Sequence, residues 1–332
     1  MNNHRFTRPA ALVSLLLGLT LSPVVAFAED NHPKVTNADV EKWMTELSNW
    51  GRWGKDDQLG AINLITEAKR KEAAALVKEG ISISMAHDCE TTSAEDDPKP
   101  FSREILNAEN NNSSPFYFDR FVTEYHNMVT THLDALCHMF YHGQMYNGVP
   151  RSEVTKSGAN KLAVNNVKNG IFTRAVLLDI PRLKGVDFLT PGTPIFPADL
   201  DACAEKEGVK IKPGDALLVR TGRWKKRQKD GPWSGSFAGL HASCAPWLHS
   251  HDIAIFGNDA AGDVMPNRVE GASMPVHQLV LVAMGAWILD ACDFEAVAEQ
   301  AEKSHRWEFL LTTAPLPVPG ATGSPINPIA TF

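Results

Sequence analysis

Three side chains able to ligate a cation or move a proton fall within seven positions of this chain: His132, Asp134 and His138, in the stretch Thr-His-Leu-Asp-Ala-Leu-Cys-His. The β-branched residues Val129, Thr130 and Thr131 precede them and favour extended backbone. Alternate residues of a strand share a face, so His132 and Asp134 present an imidazole and a carboxylate side by side. That pairing suits Zn²⁺ or Mn²⁺. His138 reaches the same face only if the chain turns after Asp134. Cys137 adjoins His138 in sequence, but neighbours on a strand point opposite ways, which argues against a thiol nucleophile working with it.

One strand cannot supply all the ligands of a cation, because each must lie about 2 Å from it. His277 and Asp290 are the downstream candidates. Residues 275–289 read as one apolar helix, which puts these two side chains roughly 20 Å apart at 1.5 Å per residue. Spacing alone therefore does not unite them at one ion. Asp290 also reads as a loop aspartate near the N-terminus of the next helix, where the dipole favours it. His126 would lie ~20 Å from His132 on an extended strand, and joins it only if the chain folds back. Met139, Phe140, Tyr141, Met145 and Tyr146 read as the wall of a pocket. No G-x-S-x-G, P-loop or G-x-G-x-x-G element is present.

The elements that must position these groups are mixed. Residues 38–50 read as an amphipathic helix, and Thr66 caps a second one that stops at Gly80. Residues 88–119 are polar and read as a long loop of the lid or interface-arm kind. Strands are expected over 174–180, 216–221, 252–256 and 307–313, and helices over 197–207 and 294–303. The tail from Ala314 is rich in Pro and Gly and must be extended or irregular. Strands and helices without a strict βαβ rhythm suggest one α/β domain.

The chain has 332 residues, of which 43% are hydrophobic and 21% charged, a globular composition. Arg5, Arg8, the apolar run 10–21 and Ala26-Phe27-Ala28 read as a signal peptide over residues 1–28, with residues 29–332 as a single domain exported to the periplasm or beyond the cell. No later stretch is long enough to span a membrane. Losing the two arginines takes the formal charge from −7 to −9. So acidic a chain gains no counterion release on nucleic acid, which argues against a polynucleotide partner. The basic cluster 223–229 reads as a solvated loop. Five cysteines show no disulfide framework; one or two bridges are possible, and the odd count leaves at least one free thiol or an intermolecular bond.

These residues carry a family resemblance. The stretch 128–138 is similar to the fingerprint His-x-Gly-Thr-His-x-Asp-x-Pro-x-His of the cyclase family of metal-dependent hydrolases, which includes bacterial kynurenine formamidase and isatin hydrolase. Residues 53–64 (WGKDDQLGAINL), 214–222 (GDALLVRTG), 275–277 (PVH) and 314–320 (APLPVPG) look like the same family. The resemblance implies an α/β swivelling β/β/α fold, a distorted β-barrel core flanked by helices, assembled as dimers or tetramers. It implies His132, Asp134, His277 and Asp290 as ligands of Zn²⁺ or Mn²⁺, which in the formamidases make a two-metal site, and His138 as the proton donor and acceptor. The chain departs at three positions. Met128 stands where the first histidine is expected, Thr130 replaces the glycine, and Asp290 replaces a glutamate. A thioether is a poor ligand for these metals.

The chemistry implied is metal-dependent hydrolysis of a C–N amide, lactam or formamide bond in a small, cyclic or aromatic substrate, or the reverse ring closure. The Met128 departure leaves a metal-poor, ligand-binding protein on the same fold as the alternative. Lactone hydrolysis by the same machinery is a third reading.

Overall fold

In this computed structural model, Met1, residues 34–108 and residues 115–332 are described. The expected signal peptide lies outside them, apart from Met1. Contacts divide the chain into Met1–His32 and Pro33–Phe332, and the sheet, helices and candidate site all lie in the second unit.

Long apolar segments collapse into one nine-stranded sheet. Its strands are β1 (Ser82–Ser84), β4 (His132–Asp134), β5 (Ile171–Asp179), β6 (Ala216–Arg220), β7 (Ile255–Asn258), β8 (Trp287–Asp290), β9 (Glu308–Thr313), β10 (Gly323–Pro325) and β11 (Ile329–Thr331). Between β1 and β4, β2 (Ser102–Ile105) and β3 (Asp119–Val122) form a separate antiparallel hairpin. The sheet order is β1-β11-β9-β5-β6-β7-β8-β4-β10. It curls into a half-barrel flanked by helices, the α/β architecture the sequence led us to expect.

The four central strands, β5 to β8, run parallel. Almost every residue of these strands is buried, as expected when both faces of a parallel sheet are covered. β4 pairs antiparallel with β8, and its register places His132 opposite Asp290 and Asp134 opposite Ile288. The candidate residues thus meet at the carboxyl end of the parallel strands, where open α/β sheets characteristically bind ligands.

The helix expected over 275–289 is corrected. A short helix, Pro275–Gln278, passes into a π-helical turn, Leu279–Met284, which Gly285 ends in a left-handed conformation (φ 64°). A Cβ on Gly285 would lie 2.3 Å from the Tyr146 ring, so the close approach requires glycine. β8 then runs back towards His277. An unbroken apolar run carries no period that separates a buried helix from a buried strand, and Gly285 is the stop signal inside it.

Other elements differ less. Helix α1 (Asn37–Glu46) is capped by Thr36 and Asp39, and ends before Trp50, whose indole instead donates to the Val282 carbonyl at 2.6 Å. Helix α2 (Glu67–Ala74) starts at the expected Thr66 cap but stops short of Gly80. Helix α3 (Pro197–Glu207) ends at Gly208 as expected. The basic cluster is helix α4 (Arg223–Asp230), not a solvated loop. Arg223 is buried against Asp96 at 3.0 Å, and Arg227 reaches Asp96 at 2.8 Å and Glu90 at 2.6 Å. These pairs pin residues 90–96 to the body. All five cysteines are free, and all but Cys89 are buried. Among the described residues no helix is long and apolar enough to cross a membrane.

Candidate metal centre

The site forms around Asp134. Strand alternation puts its carboxylate beside His132, with Oδ1 3.5 Å from Nε2. The chain turns after β4, the His138 amide donating to the Ala135 carbonyl, and His138 Nε2 stands 3.8 Å from Oδ2. His277 Nε2 stands 4.0 Å from Oδ2 and 2.9 Å from Asp290 Oδ2. The shortened helix and the returning strand have removed the 20 Å separation expected of His277 and Asp290. All five residues inferred from the sequence converge.

A sixth is added. Residues 125–127 fold back, and His126 Nδ1 lies 2.9 Å from Asp134 Oδ1. Its ring stacks on His138 with centroids 4.0 Å apart and meets His132 edge-on at 5.1 Å. Sequence spacing placed His126 out of reach because the extended backbone expected ahead of His132 is interrupted. The Asn127 side-chain carbonyl accepts from the amides of Val129 and Thr130, making a turn there. An asparagine able to bond the backbone two and three residues on was the available signal.

The partners of the outer ring nitrogens set the chemistry. His132 Nδ1 lies 2.7 Å from the Thr130 carbonyl, so it carries the proton and donates, leaving Nε2 as a lone pair. His277 Nδ1 lies 2.8 Å from Asp263 Oδ2, and Asp263 also accepts from the amides of Val276 and His277. Such a carboxylate–imidazole pair fixes the tautomer of a metal-binding histidine. Asn258 donates to Asp290 Oδ1 at 2.5 Å, leaving Oδ2 turned to His277.

Asp134 is fully buried, yet neither of its oxygens accepts a hydrogen bond. An orphaned buried carboxylate is costly, and here four imidazole nitrogens surround it. His126, His132 and Asp134 form one group whose ligand atoms lie within 4.8 Å of one another; Asp134, His277 and Asp290 form another. Two oxygens without donors, amid the imidazoles of His126, His132 and His277 whose other nitrogens are engaged, fit a divalent cation of the Zn²⁺ or Mn²⁺ kind.

Burial opposes the Asp134 charge, but His138, His132 and His126 outweigh it and hold the carboxyl well below its usual range. Burial lowers His138 to about 4 against the pull of Asp134. That leaves a neutral imidazole at neutral pH. Burial also opposes charge on His277, but Asp290 and Asp263 raise its pKa well above the ordinary value. His126 and His138 are the open side, each about a quarter exposed, above buried ligands.

The expected aromatic wall is corrected. Met145 and Tyr146 are core residues, with the Tyr146 hydroxyl bonded to Asp57. Phe140 is exposed, and Tyr141 lines a separate cavity of about 800 Å³ with Met44, Trp50 and His142. The aromatic ring beside the cluster is Tyr125, 4.5 Å from His126 and 6.1 Å from His132.

Residues 64–262, more than half of the chain, match the family model described as "Putative cyclase". The chain belongs to the cyclase family. Its structure is similar to that of a crystal structure of a novel cyclase, with TM-score 0.78 and 31% identity over 87% of this chain and 99% of that one. Isatin hydrolase A from Ralstonia solanacearum shares the fold at TM-score 0.52 and 19% identity, over 75% of this chain and 91% of that one. So does an isatin hydrolase bound to the product analogue thioisatinate, at TM-score 0.53 and 18% identity over 78% and 94%. No curated protein matches the chain. Family membership places this cyclase-family protein among enzymes of the hydrolase or cyclase class.

Proposed function

We propose that this protein is a metal-dependent hydrolase that opens a C–N amide, lactam or formamide bond in a small cyclic or aromatic substrate, or runs the reverse ring closure. The observation that carries this reading is Asp134, buried without a hydrogen bond between His126, His132, His138 and His277. His132, Asp134, His277 and Asp290 would hold Zn²⁺ or Mn²⁺. When bound, such a cation supplies Lewis acidity, lowering the pKa of water at the site and polarising a substrate carbonyl.

The chain's own residues do the rest. Asp263 and the Thr130 carbonyl orient His277 and His132. Asn258 holds Asp290. His138, neutral and partly exposed, takes the proton from the attacking water at Nε2 and returns it to the leaving nitrogen, the work of a general base and then acid. The shared fold of isatin hydrolase supports a lactam-like substrate. An ester carbonyl offers the same electrophile, so lactones belong in the same test.

The experiment is turnover of an amide, lactam and lactone panel by the full mature chain, with metal content measured alongside. Loss of turnover by at least about 10²-fold in His138→Ala, with metal retained, is expected. Unchanged turnover in both His132→Ala and His138→Ala would contradict the mechanism.

Two further readings belong to the same proposal. The residue 1–28 pattern supports export to the periplasm or outside the cell, which fractionation of the native host tests. The β2–β3 hairpin carries exposed Ile105, Phe118, Phe121 and Val122, with Phe116 and Tyr117 beside it. That apolar surface supports a homodimer or homotetramer, and the mass from light scattering distinguishes these from a monomer.

A further inference from the structure

The fold-back that brings His126 to Asp134 is built from specific contacts. The Tyr125 hydroxyl donates to the Gly323 carbonyl at 2.8 Å, and the Asn127 amide donates to the Tyr125 carbonyl at 2.8 Å. Gly323, at the start of β10, faces Asp134 across the strand pair. A Cβ there would lie 2.7 Å from His126 Cε1, so the ring occupies space that only a glycine leaves. His126 Nε2 lies 3.1 Å from Thr322 Oγ1. With the proton on Nε2 and donated to that hydroxyl, Nδ1 keeps its lone pair towards Asp134. His132 shows the mirror arrangement, with Nδ1 engaged by Thr130 and Nε2 free.

We propose that His126, supplied from two positions before Met128, is a metal ligand of this chain. With His132 and Asp134 it completes the first of the two cation positions that the family resemblance implies; Asp134, His277 and Asp290 form the second, and what is new here is the source of the missing imidazole. The proposal rests on the metal reading of the site above, but not on the substrate. Three observations converge on it. The ligand atoms of His126, His132 and Asp134 lie within 4.8 Å of one another. Asp134 Oδ1 has no hydrogen bond although His126 Nδ1 is 2.9 Å away, so the approach is not that of an aligned donor. The non-facing nitrogen of each imidazole has its own partner, the usual support of a metal-binding histidine. Met128 offers only a thioether at the position where the resemblance expects an imidazole, and His126 replaces it in space rather than in sequence.

The test is calorimetric titration of Mn²⁺ into the chelator-stripped mature chain, with Mn²⁺ electron paramagnetic resonance to detect two coupled ions. The wild type is expected to take two equivalents. His126→Ala should keep one site within a few-fold and weaken the other by at least about 100-fold, abolishing the coupled signal. Thr322→Val, which leaves the ring in place but frees Nε2, should weaken that same site by about 10-fold. Circular dichroism melts establish that each variant is folded, and Thr322→Val carries the test if His126→Ala is not. A wild type that takes one ion, or a folded His126→Ala or Thr322→Val that titrates like wild type, would overturn the proposal. The latter outcome leaves His126 as a stacking partner of His138 only. Two ions without turnover of the substrate panel would instead sink the hydrolase reading and leave this one standing.

Discussion

Asp134 and Asp259 are both fully buried aspartates near the same end of the sheet, and they are treated in opposite ways. Asp259 is saturated with donors. It accepts from the amides of Thr221, Gly222 and Arg223 and from the Thr221 hydroxyl, at 2.7–3.3 Å. Asp134 accepts no hydrogen bond and faces imidazole nitrogens instead. A buried carboxylate that serves the fold is given protons to bind; one kept for a cation is ringed by imidazoles that leave its oxygens without a hydrogen bond. Glu207 lies between them. Its Oε1 accepts from the Asp179 amide at 3.0 Å, while Oε2 is buried without a hydrogen bond, and among the described residues it belongs to no group that could hold a metal.

This contrast separates function from stability, and substitutions can break it. Asp134→Asn should lower turnover by at least about 10³-fold and remove the rise in melting temperature on adding Zn²⁺ or Mn²⁺, because a ligand that binds only the native state stabilises it. Retained metal-induced stabilisation in this variant would erase the distinction. Asp259→Ala should do the reverse. It strands several buried donors and is expected to cost about 3–5 kcal/mol in denaturant unfolding, while the surviving folded fraction still responds to metal. A loss below about 1 kcal/mol would show that Asp259 is not the structural member of the pair.

Much of this contrast was legible beforehand, and the rest was hidden for physical reasons. His132 and Asp134 stood out because a strand's two-residue period puts them on one face, and His138 because it follows them closely enough for a turn to bring it back. Helix α3 and its Gly208 stop followed from Pro at the start and Gly at the end. The meeting of His277 with Asp290 was not legible. It depends on a π-helical turn and a reversal at Gly285 inside an unbroken apolar run, where hydrophobicity has no period to read. His126 was hidden by the assumption of extended backbone through 129–131, which the Asn127 turn breaks. The basic run 223–229 misled because Arg223 and Arg227 are answered by Asp96 and Glu90, more than a hundred residues away. Met145 and Tyr146, expected at a pocket wall, went to the core because apolar residues beside a motif have no sequence mark that says which cavity they line.

Smaller changes sharpen the comparison. Asp263→Asn keeps the shape but weakens the acceptor that orients His277. Metal affinity is expected to fall about 10–100-fold with little change in metal-free stability, and an unchanged affinity in titration would remove Asp263 from the site. Glu207 tests the intermediate case. Burial pushes its carboxyl from 4.5 up to about 7, so the native state binds more protons than the unfolded one across that window. Stability contributed by the protonated form is therefore full below about 4.5 and declines as pH rises towards 7. Glu207→Gln should flatten that decline and be about 1–2 kcal/mol more stable than the wild type at pH 8, with the two converging near pH 4. Parallel stability curves for the two proteins would contradict this.

The most direct test is anomalous diffraction at the Zn and Mn edges from crystals of the protein grown with each metal. The account expects a peak within bonding distance of an Asp134 oxygen, His277 Nε2 and an Asp290 oxygen, and none there in Asp134→Asn. No peak in the wild type, or a peak that persists unchanged in Asp134→Asn, would contradict it.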